Sequence, residues 1–217
     1  VTHVGSSAFS DARVTNLTLP DTLLSIGWNS FSYNNLIAIQ ISDSVTEIGD
    51  YAFQGNPGVD TIQIGASVTS IGGYAFKEHS ASSIVIPDSV KTIGSNAFAS
   101  AALTEVKLGS SVELIGERAF EGDFDEVLIP ASLTYLGRKA FVSSEPVVAM
   151  FLGDLPEMAT QSFYWEPVKA NIIAQDVFNN LEDVNWCKGK DGWEEIDERF
   201  GNEVNTQWYL FWSGLYK

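Results

Sequence analysis

Cysteine is nearly missing from this chain. Cys187 stands alone among 217 residues, so no internal disulfide framework exists. A reducing compartment and a bacterial exterior both accommodate that scarcity, and composition does not choose between them. Histidine is scarce as well: only His3 and His79 occur. A Ser-His-Asp arrangement or a histidine-rich zinc site is therefore not expected, and each histidine reads as a surface residue. Cys187 has no His or second Cys beside it in sequence and reads as an inert thiol. Basic residues are few, 12 against 28 acidic, for a net charge of -16. That balance argues against nucleic acid and against anionic membrane surfaces, and suits basic partners, cations or salty surroundings. No apolar run approaches the roughly 18 to 20 residues that span a bilayer. No glycine-rich phosphate loop is present.

What the chain does have is a period. Phe9, Phe31, Phe53, Phe76, Phe98, Phe120, Phe141 and Phe163 recur every 21 to 23 residues, each preceded by Ala or Ser. Five positions before each Phe stands an apolar residue, from Val4 and Ile26 through to Leu136 and Met158, and in the first seven copies a Gly follows it. Eight positions before each Phe lies a second apolar column, from Val1 and Leu23 to Leu133 and Leu155. Twelve and fourteen positions before it come alternating pairs: Leu17/Leu19, Ile39/Ile41, Ile62/Ile64, Ile84/Ile86, Val106/Leu108, Val127/Ile129 and Ala149/Phe151. The period-2 pairs read as short strands with one buried face, ended in several copies by Pro or Gly. The Gly that follows the column five positions before each Phe reads as a turn with positive φ. The Ala-Phe unit then drops a ring into the interior while the Ala lets neighbouring coils approach.

One coil of about 22 residues cannot close a core. Its half-dozen apolar side chains contribute roughly 1.5 to 3 kcal/mol each when buried. Fixing the backbone opposes that with roughly 1 to 2 kcal/mol per residue. Burial is complete only when coils stack, so the expected fold is a repeat solenoid: right-handed, with a sheet of about seven or eight short parallel strands. Residues 1–163 form the array, a partial first coil and seven more. Residues 164–217 hold a degenerate last coil and a C-terminal cap. The first coil starts at its second column, from which the natural protein is expected to continue upstream.

The pattern is seen nearly whole in "SSIVIPDSVKTIGSNAF", residues 82 to 98. It resembles the BspA-type leucine-rich repeat of bacterial surface proteins, over residues 1 to about 163. The resemblance implies a secreted or surface-anchored, non-enzymatic protein associated with adhesion to matrix proteins, other cells or other surface ligands. It brings no catalytic motif, and no cofactor or metal is expected.

Function then falls to the surface. Between the two inward members of each pair, one residue must face outward. That column reads Thr18, Gln40, Gln63, Val85, Lys107, Leu128 and Met150; its neighbour reads Asn16, Ala38, Thr61, Ser83, Glu105, Glu126 and Val148. Small polar groups give way to an apolar step at Leu128, Val148 and Met150, which needs a partner or a cover. The tail "NTQWYLFWSGLYK" is expected to cap the last coil, with Trp208 and Phe211 buried and Tyr209 and Trp212 the more exposed pair; an aromatic platform for a sugar or protein is the other reading. The acidic runs "EGDFDE" and "DGWEEIDE" read as solvated surface. The candidate ligand-binding residues are Gln40, Gln63, Lys107, Glu126, Leu128, Met150, Tyr209 and Trp212. The function expected is a non-catalytic binding or adhesion module for a protein or glycan. A targeting or scaffold domain attached to a secreted enzyme, and a structural or assembly subunit, are the alternatives.

Overall fold

The computed structural model describes residues 1–124, 126–143, 147–153, 156–158, 163–164, 171–174 and 209–211. They form stacked coils with parallel strands and, among the described residues, no helix. Each coil contributes to up to three strand columns. The pair face holds Ala38–Gln40, Thr61–Gln63, Ser83–Val85, Glu105–Lys107, Glu126–Ile129, Val148–Phe151 and Asn171–Ala174. The glycine face is one eight-stranded sheet of two-residue strands, running from His3–Val4 and Ser25–Ile26 through Glu47–Ile48, Ser70–Ile71, Thr92–Ile93, Leu114–Ile115 and Tyr135–Leu136 to Glu157–Met158. The phenylalanine face holds Phe98–Leu103, Phe120–Gly122, Phe141–Val142 and Phe163–Tyr164. Register advances by one repeat at each step: Gln40 lies beside Gln63, Ile48 beside Ile71, Phe120 beside Phe141.

The alternating pairs point inward as their spacing requires. Ile39, Ile41, Ile84, Ile86, Val127, Ile129, Ala149 and Phe151 are buried. The first pair departs from expectation: Leu17 and Leu19 are only partly buried and lie outside any strand, because no described strand covers their coil on the N-terminal side. The phenylalanines form a continuous interior ladder. From Phe9 to Phe141 successive rings stack with centroids 5.2–5.4 Å apart and planes within 9° of parallel. Phe31 to Phe141 are buried, whereas Phe9, at the open end, is 47% exposed.

The repeat glycines serve a different purpose from the one their position suggested. Among the described glycines only Gly55 has a positive φ. A Cβ on Gly49 would lie 2.8 Å from the Trp28 backbone nitrogen, one on Gly116 2.5 Å from that of Ser95, and one on Gly137 2.6 Å from that of Glu117. Each glycine lies directly on the backbone of the preceding coil, and the N–H of Gly137 donates to the Ile115 carbonyl at 2.8 Å. The requirement is close approach, not a left-handed turn. Gly137→Ala is expected to destabilise the fold by about 1–3 kcal/mol, because the neighbouring atoms are backbone and cannot swing aside. Urea denaturation measures it.

The positive φ falls two residues later instead. Ser7, Asn29, Tyr51, Tyr74, Asn96, Arg118 and Lys139 form one column with φ between 50 and 59°. Asparagine tolerates this region; tyrosine, arginine and lysine occupy it at a steric cost.

Candidate functional site

Two surfaces emerge from this frame. On the pair face, Gln40, Gln63, Lys107, Glu126 and Leu128 are exposed and Met150 is half-buried. The register sets Gln40 beside Gln63 and Leu128 beside Met150, so the apolar step has two neighbouring members. The third, Val148, has its backbone in the same strand; its side chain lies outside the described residues. Lys107 is not a free cation. Its ammonium lies 2.7 Å from the carboxylate of Glu105, two positions away on the same strand face. The hydrogen bond to Glu105, and then its charge, push the Lys107 pKa up. Val85 adds an apolar group to the same column, 58% exposed.

Tyr209 belongs to a strand, Tyr209–Phe211, that pairs antiparallel with Asn171–Ala174 at the end of the pair face. Trp208 and Trp212, with Cys187 and the acidic run at 191–198, lie outside the described residues. In "EGDFDE" Asp123 and Glu126 are solvent-exposed, while Phe124 is buried against Phe141 with ring centroids 5.9 Å apart.

The second surface was not anticipated. Along the glycine face runs an open trough of about 480 Å³. Its floor is the glycine column, where side chains are missing. One wall is the outward residue of each two-residue strand: Ser25, Glu47, Ser70, Thr92 and Leu114. Asp50 and Gly73, each the residue after a floor glycine, also line the trough. Directly beside them in sequence, Tyr51 and Tyr74 stack at 4.8 Å with planes 2° apart, and Trp28 meets Tyr51 edge-on at 6.2 Å. Trp28 is 51% exposed. Asp50 is held in place by accepting the Gly73 N–H at 2.7 Å. The signal is legible in sequence, since Tyr51 and Tyr74 occupy one repeat column two residues after the glycine.

The histidines differ from each other. His3 is exposed, and its Nδ1 lies 2.7 Å from Ser25 Oγ in the next coil. No carboxylate hydrogen-bonds this imidazole among the described residues, so the pair is one more rung between coils, like Ser10 with Ser32. His79 was expected on the surface and is instead buried, 7% exposed. It takes the place in its coil that Asn34 and Asn56 take in theirs, three residues after the ladder Phe. Those asparagines cross-link coils: Asn56 Nδ2 donates to the carbonyls of Phe31 and Phe53 at 3.0 and 2.8 Å, and its Oδ1 accepts the Leu36 N–H at 3.3 Å.

The family model for the BspA type leucine rich repeat region matches six copies, over residues 2–124 and 47–169. Among solved structures, a leucine-rich repeat protein from Bacteroides ovatus is similar, with 25% sequence identity and a TM-score of 0.55 over 76% of this chain and 56% of that one. The chain thus spans little more than half the length of that protein. No curated protein sequence matches.

Proposed function

Because the chain belongs to the BspA-type leucine-rich-repeat family, a family of bacterial surface and secreted proteins whose repeats are generally non-catalytic interaction modules, we propose that it is an adhesion module of a secreted or surface-anchored bacterial protein, engaging a protein or glycan through the pair face. The observation that carries this is the uncovered pair-face column, where Val85 and Leu128 are 58% and 45% exposed between Gln63, Lys107 and Met150. Exposed apolar groups interleaved with polar ones on a rigid frame supply contact area without a pocket, and affinity sums over many weak contacts. Residues 1–163 are the array and 164–217 close it. The antiparallel pairing of Tyr209–Phe211 supports that division, since it interrupts the parallel addition of coils.

Leu128→Glu, alone and with Gln63→Lys, tests the reading. Both sites are exposed, so the melting temperature should stay within a degree or so of the parent, surface changes being worth about 0.5 kcal/mol or less. Binding in a panel of immobilised matrix proteins, glycans and cell-surface extracts should fall about tenfold, the equivalent of ~1.4 kcal/mol. A protein that binds nothing in the panel yet self-associates is an assembly subunit instead.

A further inference from the structure

The pair face leaves the glycine-face trough unused. We propose that the trough is a separate docking site for an extended, Arg- or Lys-bearing polypeptide segment of a partner protein, lying along the solenoid axis across coils two to six.

Charge supplies the first argument. Between Arg13 and Lys77 the chain carries Asp21, Asp43, Glu47, Asp50 and Asp60 and no lysine or arginine. Farther along, Lys77, Lys91, Lys107, Arg118 and Arg138 are each paired with a glutamate. Among the described residues no cation pairs with Glu47 or Asp50. Two exposed carboxylates thus line the trough with no cation partner among the described residues, and the -16 net charge of the chain steers cations toward them.

Shape supplies the second. From Ser25 to Leu114 the wall crosses four strand steps of ~4.8 Å, roughly 20 Å, which accommodates about six residues of extended chain. The floor has no side chains to obstruct a backbone.

Backbone strain supplies the third. Tyr51 and Tyr74 have φ of 59° where the flanking coils use Asn29 and Asn96 at 56°. Asparagine suits that backbone better, so the rings are retained against local preference. Such conflicts concentrate where side chains serve binding. The ring of Tyr51, next in sequence to Asp50, with Tyr74 stacked on it and Trp28 edge-on to it, offers cation–π and stem-packing contacts to a guanidinium or ammonium. Lys77 already lies over Tyr74 in this way, 5.7 Å from the centroid.

The experiment uses the full chain and a fluorescein-labelled peptide alternating arginine and threonine, read by anisotropy at low and at physiological ionic strength. The matching glutamate–threonine peptide is the control. The arginine peptide should bind and the glutamate peptide should not. Glu47→Gln with Asp50→Asn should weaken binding about tenfold and flatten its salt dependence. Tyr51→Asn with Tyr74→Asn should weaken it several-fold while leaving the melting temperature equal or higher, because asparagine relieves the positive φ. Glu105→Gln and Leu128→Glu on the pair face should leave the peptide affinity unchanged, which separates this site from the adhesion surface. If the pair-face variants weaken the peptide as much as the trough variants do, or the trough variants leave its affinity unchanged, the peptide reads only overall charge and the site is refuted. If the Asn variants lower the melting temperature and spare binding, the rings are structural and the site is equally refuted. Binding of neutral oligosaccharides in place of the peptide would reassign the trough to glycans and overturn the proposal.

Discussion

Phe76→Ala should destabilise the protein by about 3–5 kcal/mol, the range for removing a fully buried ring. Phe76 is 1% exposed. Its ring stacks on Phe53 at 5.4 Å and on Phe98 at 5.2 Å. Truncation therefore deletes two ring contacts and opens a cavity whose walls are backbone rungs that cannot collapse. The Phe76 N–H donates to the Ala97 carbonyl at 2.8 Å and the Phe53 N–H to the Ala75 carbonyl at 2.7 Å, which fixes the coil spacing. The loss also falls at the centre of a one-dimensional array, where stability depends on each coil's contact with the next. A lower urea m-value in the variant would report that the coils on either side unfold separately. Phe9→Ala is the internal control. That ring is half-exposed with one described stacking partner, Phe31, so its loss should be about 1 kcal/mol. Equal losses at the two positions would show that the ladder does not couple the coils.

The ladder was legible because it is a repeat. One phenylalanine in an apolar background means little; eight in register, each with its columns, leave few ways to bury them. The pair-face strands were legible for the same reason, since a period of two survives in three or four residues. The glycine face was harder. Its strands are two residues long, too short for any period, and only the fixed spacing between coils makes them a sheet. The role of the glycines was misread because sequence does not distinguish a left-handed turn from close backbone approach. The positive φ fell on a column of Ser, Asn, Tyr, Arg and Lys that shares no chemistry, only a position. The trough was invisible for a related reason: it is lined by residues of five successive coils. No single stretch of sequence contains it.

His79 shows what happens when one coil breaks a rule its neighbours keep. Its Nδ1 accepts the Ala81 N–H at 3.0 Å, which places the imidazole proton on Nε2, and Nε2 is buried with no partner among the described residues. The ring lies edge-on to Phe98, 6.4 Å between centroids. Burial disfavours the imidazolium and lowers the His79 pKa from 6.5 to about 4. The unfolded chain takes up a proton near pH 6.5 and the folded chain only near pH 4, so the stabilisation is complete above pH 6.5 and is lost as pH falls toward 4. Two to three pH units at ~1.4 kcal/mol each give a loss of about 3 kcal/mol across that window. The Asp88 carboxylate is held below its ordinary range by the Ser110 N–H, so its own contribution is lost only at more acid pH than that range. Urea midpoints at the two ends of the window should therefore differ in the parent. In His79→Asn most of that difference should vanish. The asparagine should also restore the rung that Asn34 and Asn56 make, donating to the carbonyls of Phe53 and Phe76 in place of a buried N–H with nothing to meet. Removing that unsatisfied donor should raise stability at neutral pH by about 1–2 kcal/mol. A variant no more stable than the parent at neutral pH, with the acid sensitivity retained, would place the titrating group elsewhere.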